Sequence, residues 1–290
     1  MMTVDTVEKS GSGGTISAFA PAKINMTLHV TGRQADGYHC LDSLVMFADV
    51  GDTVSVRHSD ETTLTITGPM SAGVPTGDDN LALRAAKLMN TTAEISLDKH
   101  LPLAGGIGGG SSDAAATLRA LSQLTGAQIP VDVLALGADA PVCVIGTGAA
   151  RMQGIGKDVT NAPGLPVLHA VLVNPMKPVM TADVFQRLTK RNNPPMPDTL
   201  PTNADAATLM AWLSEMRNDL QDAAIEAEPA IQQVFSTLQV TPGCLLTRMS
   251  GSGGTCFGLY ADAETAASAA GRLQESHPGW WVAATRLNAH

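Results

Sequence analysis

The stretch AEISLDKHLPLAGGIGGGSSDAAATLRALSQL, Ala93 to Leu124, narrows the choice of fold more than any other part of this sequence. AEISLDKHL (93–101) alternates as a strand does, whereas SDAAATLRALSQL (112–124) is rich in helix formers and meets no breaker before Gly126. Glycines fill the join between them. A helix start carries unpaired N–H groups and about half a positive charge, and glycine lets the backbone close on an anion. Ser111 and Ser112 add hydroxyl donors, and either can cap the helix. A slack linker needs no glycine cluster wedged between strand and helix, so the join reads as a phosphate-binding loop.

The usual nucleotide fingerprints are missing from it. The nearest approach to GxxxxGK[ST], around Gly156-Lys157, has Arg151 at its first position and Asp158 at its last, and no GxGxxG occurs. A GxSxG hydrolase elbow is spoiled by Asp113, two residues after Ser111. The loop therefore calls for a different route to phosphate. The hexapeptide SGSGGT occurs twice. Ser10–Thr15 precedes the first strand in a polar N-terminus and reads as a loose tail, while Ser250–Thr255 sits between strand-like LLTRM and CFGLY.

Short β-branched segments precede the loop: ISAFA (16–20), MTLHVT (26–31), LDSLVMFA (41–48), DTVSV (52–56) and TLTIT (63–67). Asp36-Gly37 and Val50-Gly51-Asp52 are turn signals between them. NLALRAAKLMN (80–90) has helical spacing. NAPGLP (161–166) reads as a domain junction. Beyond it we expect a strand at 167–173, a helix from Thr181 capped by that residue, and an exposed proline-rich loop at 191–202. Helices at 205–219 and 222–237, strands around LLTRM and TCFGLY, a helix at 262–275 and a closing WWVAATR strand follow. The order is that of an α+β protein with an extension at 1–15, an N-terminal domain at 16–164 and a C-terminal domain at 165–290.

Composition trims the functional classes. A formal charge of −9 without any basic cluster argues against nucleic acid or an anionic membrane as the main partner. The four cysteines lack CxxC or zinc spacing, and no apolar run is long enough to span a bilayer, which points to a cytoplasmic protein with reduced thiols. No metal-ligand set stands out.

Three segments in order, APAKIN (Ala20–Asn25), PLAGGIGGGSSDAA from Pro102, and MSGSGGTCFGLY near the C-terminus, resemble the motifs of the GHMP kinases. The likeness runs from about Phe19 to Tyr260. It implies an N-terminal mixed β/α domain of the ribosomal protein S5 domain 2 type and a C-terminal ferredoxin-like α/β sandwich. It also implies ATP with Mg²⁺, bound by Pro102, Leu103, Ala104, Gly105, Gly106, Ile107, Gly108, Gly109, Gly110, Ser111 and Ser112, with the second SGSGGT backing that loop. APAKINMTLHVTGRQADGYH, LGADAPV and RNDL resemble the branch acting on a cytidine-diphosphate methylerythritol.

On that resemblance Asp139 in LGADAPV accepts the proton of the attacking hydroxyl, and Lys23 in APAKIN holds that hydroxyl and the developing phosphate charge. Tyr38 and His39 of the DGYH turn face the cytosine, Phe185 forms the opposite wall, and Asn25 and Thr181 contact the substrate. Ile107 stands where leucine is usual, and TGAQIPVDVLAL ahead of Asp139 is shorter than the family pattern. A mevalonate- or homoserine-type kinase, a nucleotide sensor and a serine hydrolase using Ser111 or Ser252 are the rival readings. A monomer or weak homodimer completes the expectation.

Overall fold

Gly51 does not end a strand. In the computed structural model, which describes residues 14–289, β3 (His39–His58) runs straight through it. β1 (Ile16–Asn25) and β2 (His29–Arg33) come before it. A β-carbon at Gly51 would collide with the Ala20 carbonyl oxygen and stand 2.7 Å from the Phe19 ring. Gly51 is thus a close-approach residue in an extended strand, not a turn residue.

Packing gathers the chain into two compact units, each assembled from several stretches. The first comprises the described residues up to Pro21 with Gly51–Leu103 and Gly109–Gly146; the second comprises Ala22–Val50, Ala104–Gly108 and Thr147 onward. These units differ from a division at residue 164/165, because the long strands β1 and β3 each pass from one unit into the other.

In the first unit the C-terminal part of β3 pairs antiparallel with β5 (Ala93–Asp98), Val54 opposite Leu97. β4 (Thr63–Thr67) runs parallel along the other edge of β5. Alternation places Val54, Val56, Ile95 and Leu97 on one face. That face is covered by α1 (Leu81–Leu88) and α2 (Gly109–Thr125) through Ala82, Ala86, Ala116, Ala120 and Leu121. Small alanines let these helices lie close to the sheet. Asn80 starts α1, its side-chain oxygen accepting the Ala82 N–H at 2.9 Å. The segment after Gly126 holds only a 3-10 turn at Leu134–Leu136 before α3 (Ala140–Ile145).

In the second unit the N-terminal part of β3 pairs with β2 and with β6 (Ala149–Gly154). β6 forms a hairpin with β7 (Asp158–Asn161), so Gly156-Lys157 is a hairpin tip. β8 (Leu168–Asn174) lies between β10 (Cys256–Tyr260) and β11 (Trp281–Leu287), with β9 (Leu246–Met249) outside β10, all antiparallel. α4 (Thr181–Arg187), α5 (Ala206–Ser214), α6 (Gln221–Ala227), α7 (Ala230–Gln239) and α8 (Ala263–Ser276) supply the helices. Val171, Val173, Val234, Leu238, Ala269 and Leu273 share one core. The helix expected at 222–237 is two, because Glu228 is extended and Pro229 begins a new helix.

The proline-rich stretch is the mostly exposed loop the sequence implies, but Asn193 and Met196 are buried and anchor it. Asp42, 2% exposed, takes a two-pronged bond from Arg151 at 2.8 and 2.7 Å, and the same guanidinium donates to the Pro197 and Asp198 carbonyls. Met196 N–H also donates to Asp42, at 3.0 Å. A buried carboxylate and a half-buried arginine thus pin the loop down. Asp42→Asn is expected to lower stability by about 3 kcal/mol, measured by urea unfolding; an unchanged midpoint would show the pair to be incidental.

Candidate active site

Three motifs distant in sequence come together within the second unit. The Lys23 N–H donates to the Ile107 carbonyl at 2.9 Å, which fixes the APAKIN strand to the glycine loop. The turn at 250–255 lies behind that loop: the Thr255 N–H donates to the Gly105 carbonyl at 2.9 Å and the Ser250 hydroxyl to the Gly106 carbonyl at 3.0 Å. The same hydroxyl accepts the Asn25 N–H at 3.0 Å. Gly106 has φ +70°, and a β-carbon there would stand 2.5 Å from the Gly253 carbonyl oxygen. No other residue fits so close a crossing. The Gly105 and Gly106 carbonyls are thus turned back onto the 250–255 turn.

Lys23 is 3% exposed, so it is not a surface lysine at a strand edge. Asn25 is fully buried; its amide nitrogen donates to Ser43 at 2.8 Å, and its Oδ1 has no partner among the described residues. Tyr38 presents its ring to solvent at 63% exposure, in a turn closed by the Asp36 carboxylate on the Tyr38 N–H. His39 and Phe185 stack with ring centroids 4.8 Å apart and planes 22° from parallel. Burial, with the charges of Arg33 and Arg191, holds His39 below the ordinary imidazole pKa. The ring therefore stays neutral, and its buried Nε2 has no partner among the described residues. Thr181 does not cap α4, which starts from Met180; its hydroxyl instead meets the Ser252 hydroxyl at 2.7 Å.

In the first unit α2 starts at Gly109, inside the glycine run and earlier than its sequence pattern indicates. Ser111 is half-buried and faces Gly137. Ser112 is fully buried, and its hydroxyl donates to the Pro21 carbonyl at 2.8 Å, which commits it to holding α2 against β1. Pro102 is buried while Leu103 and Ala104 are exposed; Ala104 adopts φ +50°, a strained value at the entrance to the loop. Asp139 occupies the N-cap position of α3 without a side-chain cap bond. It is half-buried.

A charged cluster in this unit is not legible as such in the sequence. Lys99 is 1% exposed, and its ammonium bonds Asp52 at 2.5 Å and Asp113 at 2.7 Å. Asp52 further accepts the His100 and Leu101 N–H groups, so it fixes the chain just before the loop. Beside the cluster lies a cavity of about 140 Å³ with apolar walls from Val74, Pro75, Leu81 and Leu103 and polar groups from Asp79, Asn80, Lys99 and Asp113. Its apolar walls with polar groups beside them suit a heterocyclic base.

The family model of the GHMP kinases N terminal domain matches residues 80–152, and that of the GHMP kinases C terminal domain matches 201–279. A 4-diphosphocytidyl-2-C-methyl-D-erythritol kinase of Cereibacter sphaeroides is 52% identical over 93% of this chain and 98% of its own. One from Dinoroseobacter shibae is 50% identical over 99% of this chain and 100% of its own. A crystal structure of 4-(cytidine 5'-diphospho)-2C-methyl-D-erythritol kinase superposes with TM-score 0.75 at 30% identity, covering 94% of this chain and 100% of that one. The chain therefore belongs to the GHMP kinase family, on its 4-diphosphocytidyl-2-C-methyl-D-erythritol kinase branch.

Proposed function

We propose that this chain transfers the γ-phosphoryl group of ATP to the 2-hydroxyl of 4-diphosphocytidyl-2-C-methyl-D-erythritol, a step of the non-mevalonate route to isoprenoids. The observation that carries the reading is the convergence of Lys23, Gly105–Gly108 and the Ser250 turn on one another. Such transfer needs positioning and charge neutralisation more than covalent chemistry. In a protein of net charge −9 the positive potential has to be local, which a loop of N–H groups, the start of α2 and Lys23 supply.

In this scheme the substrate oxygen bonds to the γ-phosphorus as the bond to the β,γ-bridging oxygen breaks. That electron pair leaves with ADP, and the hydroxyl proton passes to Asp139. Lys23 holds the attacking oxygen and its growing negative charge. Tyr38, His39 and Phe185 receive the cytosine, with the neutral His39 able to bond a ring edge. The cavity beside Lys99 takes the base of ATP. Among the described residues no three His, Cys, Asp or Glu side chains gather as a metal cage. Mg²⁺ would be held mainly by the phosphates of ATP, with the Ser111 hydroxyl as its protein ligand, and would neutralise phosphate charge there.

No helix among the described residues is long and apolar enough to cross a membrane. We read the enzyme as cytoplasmic, a monomer or weak homodimer, acting on small molecules alone. ADP release should be measured with the cytidine-diphosphate alcohol, mevalonate and homoserine side by side. We expect the first to exceed the others in kcat/KM by at least about 10²-fold. A preference for mevalonate or homoserine would overturn the substrate assignment.

A further inference from the structure

RNDL (Arg217–Leu220) lies outside the three motifs, in the short link between α5 and α6, yet its two central side chains are engaged with other segments. Asn218 is 8% exposed. Its amide donates to the Met249 carbonyl at 2.8 Å and the Gly251 carbonyl at 2.9 Å, while its Oδ1 accepts the Leu220 N–H at 3.0 Å. Both amide protons are therefore used on the two sides of Ser250. Asp219 accepts the Val30 N–H at 2.7 Å through one oxygen and Arg217 Nε at 2.6 Å through the other. Main-chain bonds join the same link to Leu28, the residue just before β2: Leu28 N–H to the Arg217 carbonyl at 2.9 Å, and Asp219 N–H to the Leu28 carbonyl at 2.8 Å.

One dipeptide thus grips two segments with different destinations. The turn held by Asn218 carries Ser250, whose hydroxyl fixes the Gly106 carbonyl in the glycine loop. The strand held by Asp219 is β2, which leads into the turn of Tyr38 and His39. We propose that Asn218 and Asp219 are positioning residues with separable targets, Asn218 setting the triphosphate loop and Asp219 the cytidine-binding turn. The inference rests on the ATP and cytidine reading given above.

The chemistry of conservative substitutions makes the split testable. Asn218→Asp keeps the oxygen that accepts Leu220 but turns a carboxylate oxygen onto two carbonyls, which must separate from it. Ser250 then shifts, and the Gly106 carbonyl loses its donor. Asp219→Asn preserves shape but sets an amide donor against either the Val30 N–H or the Arg217 guanidinium. A ligand bound by aligned N–H groups or by stacking responds steeply to displacements of about 1 Å.

The experiment is calorimetric titration of the full chain with a non-hydrolysable ATP analogue and, separately, with cytidine diphosphate, beside thermal melts of each variant. Asn218→Asp is expected to weaken the ATP analogue by about ten-fold and cytidine diphosphate by less than about two-fold, and Asp219→Asn to do the reverse. Equal weakening of both ligands, or of neither, overturns the proposal even where melting temperatures fall, since a purely structural role predicts that pattern. If either variant fails to fold, Asn218→Ser and Asp219→Ser, which remove the same bonds without adding repulsion, carry the same two expectations. A wild-type protein that binds neither nucleotide sinks the functional reading together with this one; a wild type that binds both, with no split in the variants, sinks this one alone.

Discussion

Asp139→Asn is expected to lower kcat by about 10²–10⁴-fold, the usual worth of a general base, with the melting temperature unchanged. The carboxamide has the same shape and size but cannot take the proton of the attacking hydroxyl. The rival role for this residue is structural, since it stands at the N-cap of α3. An aspartate cap contributes about 0.5–2 kcal/mol when its oxygen accepts a helix N–H. Here the Asp139 side chain makes no such bond, so capping α3 is not its role. KM for ATP should also hold, because the substitution alters neither the glycine loop nor Lys23. Steady-state kinetics with a thermal melt separate these outcomes: near-normal turnover removes Asp139 from the proton transfer, and a loss of rate matched by a loss of folded protein returns it to a structural role.

The elements written in local sequence were the ones readable in advance. The strand at 93–98, the helix after the glycines, the helix at 81–88 and the closing strand all follow from periodicity, because each buries one face against a nearby element. Features set by partners far along the chain were not. Gly51 looks like a turn residue until the Ala20 carbonyl is placed beside it. The 191–202 stretch is exposed over most of its length, but its anchoring, with Arg151 on the Pro197 and Asp198 carbonyls and Asp42 on the Met196 N–H, cannot be read from its own letters. Ser112 has the letters of a phosphate donor, yet its hydroxyl is taken by Pro21, ninety-one positions away in the chain. Thr181 has the letters of a cap, yet it bonds Ser252. The N-terminal SGSGGT, read as a loose tail, falls largely outside the described residues. Lys99 and Asp52 sit in unremarkable strand text; only the pairing that sets Thr53 opposite Asp98 brings them together. An aspartate directly after two loop serines was the one visible hint, since a carboxylate entering a helix among alanines needs a cation.

That cluster carries the largest effect on stability. Lys99→Met is expected to destabilise the fold by about 3–5 kcal/mol at neutral pH, because removing one partner of a buried pair leaves uncompensated charge behind. Two carboxylates share a single ammonium here, so the group is one positive charge short. Burial pushes the Asp113 carboxyl up to about 7; Lys99 opposes that rise and Asp52 adds to it. Lys99 is itself held above its ordinary value, its two carboxylates outweighing burial. Because the folded pKa of Asp113 lies above its unfolded value of 3.8, the folded state binds the extra proton. The stabilisation from that proton is complete below the unfolded value and is lost as pH rises through about 7. Asp113→Asn abolishes this titration and leaves a one-to-one pair of Lys99 with Asp52. Its stability relative to the wild type should therefore rise between pH 5 and pH 8, whereas Lys99→Met should fall further behind over about the same interval, because Asp113 loses the cation that opposes its rise. Urea unfolding midpoints at the two pH values, for the wild type and both variants, give the answer. Parallel pH profiles for all three proteins would mean that Asp113 is ionised throughout and that the cluster is a balanced network rather than one short of positive charge.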